Sequence, residues 1–240
     1  MTMAIVQARM GSTRMPGKVM APVLGEPMIW RQIERIRRAR SVSKVVVATS
    51  TAPADDALAS FLVGRGCGVY RGDPVDVLGR FTACARTAGA ERVVRLKADC
   101  PLTDPQLVDA AVALSIRSGA AYAGNCEVRS YPAGLEVEVI TAEALFAADR
   151  EASAPEDRES VTGFIRRFPL RFAQAHLVAA HDRSDLRWSV DRSEDFALVR
   201  EVYRGLYPEN PDFGVQEIAE LVEAGPELAD LARRARAAAA

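Results

Sequence analysis

Short β-branched runs alternate along this chain with stretches whose apolar residues recur every third or fourth position. Ala4–Gln7, Lys44–Thr49 and Arg92–Lys97 read as strands. Ile29, Ile33 and Ile36, then Leu58, Phe61 and Leu62, then Leu78, Phe81 and Ala85, each fall on one helical face. Asp104-Pro105 supplies an N-cap followed by proline at the first helical position, and Leu107, Val108, Ala111, Val112 and Ile116 form the buried stripe behind it. The β-α-β-α order predicts an α/β fold, a mainly parallel sheet with helices on both faces. The second half mixes extended runs at Leu135–Ile140, Arg171–Val178 and Leu186–Val190 with helices containing Phe196, Val199, Val202, Tyr203 and Leu206. Residues 1–225 read as one domain, and 226–240 as its C-terminal helical tail, with Leu231–Ala240 a fraying end.

Composition narrows the class. The chain has 240 residues, 49% hydrophobic and 26% charged, enough to bury a substantial core. No apolar run approaches the ~18 residues of a membrane span, and Arg9 cuts the first one short, so a cytoplasmic protein without a secretory signal is expected. Cys67, Cys84, Cys100 and Cys126 are scattered without a C-x-x-C pair, and His176 and His181 lie apart from them, which argues against zinc and disulfides. A net charge of −1 speaks against a general nucleic-acid binder, although residues 1–45 hold nine Arg or Lys against two Glu.

The densest chemistry lies just after the first strand. Arg9 to Lys18, RMGSTRMPGK, combines three cations, two hydroxyls and two glycines, which suits a polyphosphate. It is not a Walker A loop, because five residues separate Gly11 from Gly17 and Val19 follows Lys18; nor is it G-x-G-x-x-G, because Thr13 and Pro16 stand where glycines are required. Pro22 and Gly25 keep it from opening straight into the helix expected near Pro27, so side chains must carry most of the grip. In such sheets ligands bind at the carboxyl ends of strands. Asp99 and Asp191 each follow an expected strand, with helix capping as the other reading of Asp191 and a purely structural role as that of Asp99.

RMGSTRMPGK, KADCPLTDP (Lys97–Pro105), YPAGLEVEV (Tyr131–Val139) and RWSVDRSEDF (Arg187–Phe196) occur in an order that resembles the cytidylyltransferases activating acidic sugars. The likeness is to the spore-coat-polysaccharide, SpsF-like type, similar to the acylneuraminate and deoxy-octulosonate enzymes, and covers roughly residues 3–205. It implies a nucleotide-diphospho-sugar transferase (GT-A-like) fold, a homodimer, CTP and a small acidic acceptor as partners, and Mg²⁺ as cofactor. Arg9, Gly11, Ser12, Arg14 and Lys18 match the family's triphosphate loop, with Arg14 and Lys18 at the leaving pyrophosphate and Lys18 acting as a mobile charge. Arg71 and Asp76 match its segment beside base and ribose. Asp99 and Asp191 match its magnesium aspartates, and Tyr131, Gly134, Glu136 and Glu138 its acceptor segment. A half-buried strand exposing both glutamates is the other reading of that last segment. Two departures stand out: Glu136 replaces the usual aspartate, and RESVTGFI (Arg158–Ile165) has Ser160 where the family commonly has histidine. A glycosyltransferase spending a nucleotide sugar, a nucleotidyltransferase for a phosphonate or polyol phosphate, and a non-enzymatic descendant are the rival readings.

Overall fold

Ala4, Ile5 and Val6 leave no polar side chain for either face of the first strand, and the fold buries both. In the computed structural model, which describes residues 1–237, β1 (Thr2–Gln7) lies inside a seven-stranded sheet. A β2–β3 hairpin (Pro22–Val23, Glu26–Pro27) leads into α1 (Met28–Ile36). There follow β4 (Lys44–Ser50), α2 (Asp56–Gly64), β5 (Gly68–Gly72), α3 (Val77–Ala88), β6 (Arg92–Lys97) and α4 (Pro105–Ser118). The second half adds β7 (Tyr122–Gly124), β8 (Glu138–Thr141), α5 (Ala142–Glu151), α6 (Pro155–Ser160), α7 (Gly163–Arg167) and β9 (Gln174–His176). The chain closes with α8 (Ser193–Leu206), α9 (Val215–Ala224) and α10 (Pro226–Ala237).

The strand order is β5-β4-β1-β6-β8-β7-β9, and only β8 runs against its neighbours. Period-two alternation divides the interior between the two faces. Ala4, Val6, Val47 and Val94 pack with Ile29, Ile33, Val108 and Tyr203 on one side; Met3, Ile5, Val46 and Val93 pack with Leu78, Phe81, Leu145 and Ile165 on the other. Chain order reverses direction between β1 and β6, which places a crevice at their carboxyl ends, where Gln7 and Lys97 are register partners.

Asp104 caps α4 as the sequence predicts, accepting from Gln106 N at 2.8 Å, and its second oxygen takes Val215 N, the first residue of α9, at 3.1 Å. The extended runs of the second half are shorter than expected. Leu135 and Val137 are buried but precede β8, because the Asn125 side chain replaces the ladder, donating to Leu135 O and accepting from Val137 N, both at 2.8 Å. Leu186–Val190 makes only an isolated bridge from Arg187 to Ala133. Helix α10 packs on α8 and α9, and the last three residues of the expected fraying end lie outside the described residues. No helix among those described is long and apolar enough to cross a membrane.

Candidate active site

The basic loop is closed on itself and anchored from a distance. Met10 O accepts from Ser12 N (2.9 Å) and Gly17 N (3.0 Å), and Gly17 takes a φ of 72° that favours glycine. The buried Asp55 carboxylate accepts from Met10 N at 2.7 Å and from the Ser50 hydroxyl, fixing the loop to the end of β4. Ser12 Oγ takes Met15 N at 3.3 Å.

Lys18 is not the mobile charge expected. It is buried, and Nζ donates to Val190 O at 2.5 Å and to Asp191 Oδ1 at 3.2 Å. It opens the short 3₁₀ turn Lys18–Met20, whose N-cap is the left-handed Gly17. Arg14 meets the same Asp191 oxygen at 3.0 Å, and Arg187 meets the other at 2.6 Å. Burial alone would raise the Asp191 pKa, but Arg187, Lys18 and Arg14 overcome it and lower it to about 2. The capping alternative for Asp191 is set aside by Asp195, whose carboxylate accepts from Asp191 N (2.7 Å) and Arg192 N (2.9 Å) at the start of α8.

Two cavities open at the carboxyl ends of β1 and β6. One, of about 380 Å³, contains Arg9, Gly11, Ser12, Arg14 and Lys18, together with Gln7, Pro74, Val75, Val77, Arg80 and Glu159. The other, of about 320 Å³, contains Tyr131 and Glu136 with Asn125, Cys126, Arg129, Arg187 and Ser189. Lys97, Asp99 and Asp191 line both. The segments bearing the two aspartates are tied directly, Val190 N donating to Asp99 O at 2.7 Å. Asp99 is otherwise lightly held: Lys97 Nζ stands 3.5 Å from Oδ1, and the Cys100 thiol lies 3.3 Å from that oxygen and from Glu136 Oε2. Burial, reinforced by these two carboxylates, pushes the Cys100 thiol pKa well up, so it serves as a shared S–H donor and not as a nucleophile.

Four residues expected at the site are committed elsewhere. Glu138 is buried between Arg95, Tyr122 Oη (3.0 Å) and Thr162 Oγ1 (2.7 Å). Burial would raise its pKa, but Arg95 and Thr162 hold it below the usual range. Gly134, at φ 104°, lets the chain cross against Trp188 and Ser189, where a Cβ would collide with their backbone; its N–H anchors Glu136 at 2.9 Å. Arg71 spends its guanidinium on Ser50 O (2.8 Å), Ala52 O (3.1 Å) and Asp56 (2.6 Å). Asp76 caps α3 through Gly79 N (2.9 Å) and takes a bidentate pair from Arg158 (2.8 and 2.6 Å). Arg80, Lys97, Arg129 and Arg187 occupy the cavities unannounced. Lys97 and Arg187 open the KADCPLTDP and RWSVDRSEDF motifs, Arg80 lies on α3, and Arg129 sits in an irregular segment with no local signal.

Asp99 and Asp191 offer only oxygen ligands, and among the described residues no group of three metal-ligating side chains occurs. This donor set fits Mg²⁺, which keeps waters and needs one or two carboxylates besides phosphate oxygens. Asp99 has capacity to spare, whereas Asp191, paired with Arg14, Lys18 and Arg187, would have to release a cation to take a metal.

A family model described as Cytidylyltransferase matches residues 3–210. Spore coat polysaccharide biosynthesis protein SpsF of Bacillus subtilis is 30% identical over 233 residues, covering 94% of this chain and 95% of its own length. The 3-deoxy-manno-octulosonate cytidylyltransferase of Geobacter sulfurreducens is 31% identical over 239 residues, covering 98% and 85%. A solved cytidylyltransferase from Leptospira borgpetersenii superposes with a TM-score of 0.89 at 26% identity, over 95% of each chain. A CMP:2-keto-3-deoxy-manno-octonic acid synthetase complexed with CTP gives 0.63 at 18% identity over 85% of this chain and 98% of its own, which supports the fold alone. With a mainly parallel sheet, a basic loop after its first strand and this family match along most of its length, the chain belongs to the cytidylyltransferase family.

Proposed function

We propose that this enzyme transfers CMP from CTP to a small acidic acceptor, seating the nucleotide in the basic-loop cavity and the acceptor in its neighbour. The observation that carries this reading is the common wall: Lys97, Asp99 and Asp191 line both cavities, so two ligands would meet there. An acceptor oxygen attacks the α-phosphorus and pyrophosphate leaves on the far side, which asks the protein chiefly for alignment and charge neutralisation. Arg9 and Arg14 are exposed cations able to follow the phosphates. Lys18, fixed by Val190 O and Asp191, presents its remaining proton at one place. Arg129, exposed and without an ion pair among the described residues, offers charge to an acceptor anion. Mg²⁺ held by Asp99 and Asp191 would supply charge stabilisation for the transferring phosphoryl group.

A pyrophosphate-release screen with CTP and Mg²⁺ over acidic sugars, phosphonates and polyol phosphates tests the reading. Release with an acidic sugar, abolished by EDTA, is expected. Release with no acidic acceptor, or turnover that survives EDTA, contradicts it.

A further inference from the structure

The RESVT segment is fully committed to the fold except at one position. Arg158 spans Asp76 and Asp149, its Nη2 lying 2.6 and 2.9 Å from their carboxylates. Gly79 admits that pairing, since a Cβ there would collide with both Asp76 and Arg158. Ser160 Oγ accepts from Gly163 N at 2.8 Å, and Thr162 donates to the buried Glu138 at 2.7 Å. Val161 is wholly buried at φ 67°, a left-handed conformation that β-branched residues rarely adopt and that persists only where the surroundings over-determine it. Glu159 alone has no hydrogen-bond or ion-pair partner among the described residues, and it faces the basic-loop cavity.

A lone carboxylate in a cavity rich in cations repels phosphate, so its use lies with the uncharged end of the nucleotide. The neighbouring wall supports that placement. Helix α6 packs on α3, and the segment entering α3 contributes Pro74, Val75 and Val77, with Val75 76% exposed: an apolar surface on which a flat base can lie. In the same cavity lining Arg80 is 4% exposed; among the described residues its buried Nε has no partner and its one hydrogen bond is a long 3.4 Å to Asp73 O. Such a guanidinium has donors left to spend on a ligand carbonyl.

We propose that Glu159 reads the base, its carboxylate accepting a hydrogen bond from the exocyclic amino group of cytosine. Uracil presents a carbonyl oxygen at that position, which a carboxylate rejects. Arg80 donates to the O2 oxygen common to both pyrimidines, so it holds the ring without telling one from the other. This proposal rests on the nucleotide seating given above and assigns a role to a motif position that seating does not use.

Equilibrium binding of CTP and UTP with Mg²⁺, measured by calorimetry, tests it without knowledge of the acceptor. Wild type should favour CTP. Glu159→Gln can accept from cytosine or donate to uracil, so the CTP:UTP affinity ratio should fall about tenfold or more. Its melting temperature should stay within about 1 °C of wild type, because no protein contact is lost. Arg80→Met should weaken both nucleotides and leave the ratio unchanged. If wild type prefers CTP and Glu159→Gln keeps the full ratio, the base-reading role is overturned while the nucleotide seating stands. If wild type binds neither nucleotide, the seating itself fails and the proposal with it.

Discussion

The nucleotide cavity and the acceptor cavity share a wall but are built by different means. The first is assembled mostly from the turns of consecutive βα units: the loop after β1, the entry to α3 and the end of β6. Its ligand groups inherit their positions from a ladder of backbone hydrogen bonds. The second is made mostly from residues 125–136 and 187–191, which are nearly free of regular structure. Side chains hold it together: Asn125 on Leu135 and Val137, Glu136 on Gly134 N, and Ser130, whose hydroxyl takes Ala179 N at 2.8 Å and whose carbonyl takes Arg183 N at 2.9 Å. A site held by the sheet is hard to alter without disturbing the fold, while one tethered by single side chains can change its ligand with few substitutions. On the proposed seating, CTP would occupy the first kind of site and the acceptor the second.

The largest effect should come from the wall the two cavities share. Asp99→Asn and Asp191→Asn each keep side-chain size, and each should lower turnover by about 10²-fold or more. Only Asp191→Asn should also lower the melting temperature, because it strips the counter-charge from buried Lys18, whereas the one cation paired with Asp99 among the described residues is half-exposed Lys97. Full turnover in either variant removes that aspartate from the chemistry.

Lys18→Met should come next. We expect kcat to fall by about 10²-fold with a smaller rise in the KM for CTP. Because Lys18 is built into the crevice, this variant should also lose stability, about 1–3 kcal/mol for leaving Val190 O and one bond to Asp191 unmet, read by urea denaturation. A KM effect alone, with kcat retained, assigns Lys18 to ground-state binding.

The smallest effect sharpens the contrast between the cavities. Arg129→Gln should raise the acceptor KM about tenfold and leave CTP affinity and melting temperature unchanged, since Arg129 is exposed and bears on the acceptor cavity alone. An equal loss of CTP affinity would mean that the two cavities are not separate.

How much of this was legible in the sequence follows the same division. β1, β4, β6 and α1 to α4 announce themselves through β-branched runs, apolar spacing and the Asp104-Pro105 start, because consecutive βα units bury local patterns. The irregular half does not. Glu138 alternates with buried valines and so looks outward-facing, but that face of β8 is covered by Arg95 and Thr162, 43 and 24 residues distant in sequence. Arg71 carries no sequence mark of its structural role, because two of its three acceptors are backbone carbonyls, which residue types do not reveal. The pairing of Asp99 with Asp191 was suggested by resemblance to a family, not by spacing; what joins them in space is one backbone hydrogen bond across 91 positions, from Val190 to Asp99.

On the proposed mechanism, the nucleotide's α-phosphoryl group crosses the wall formed by Asp99 and Asp191. The most direct measurement follows two labels separately, incubating the enzyme and an acidic acceptor with CTP labelled at either the α- or the γ-phosphorus. The α label should appear in the acceptor product and the γ label in pyrophosphate, both in wild type and, far more slowly, in Asp99→Asn. Transfer of the γ label to the acceptor, or release of free CMP with the acceptor unlabelled, would contradict it.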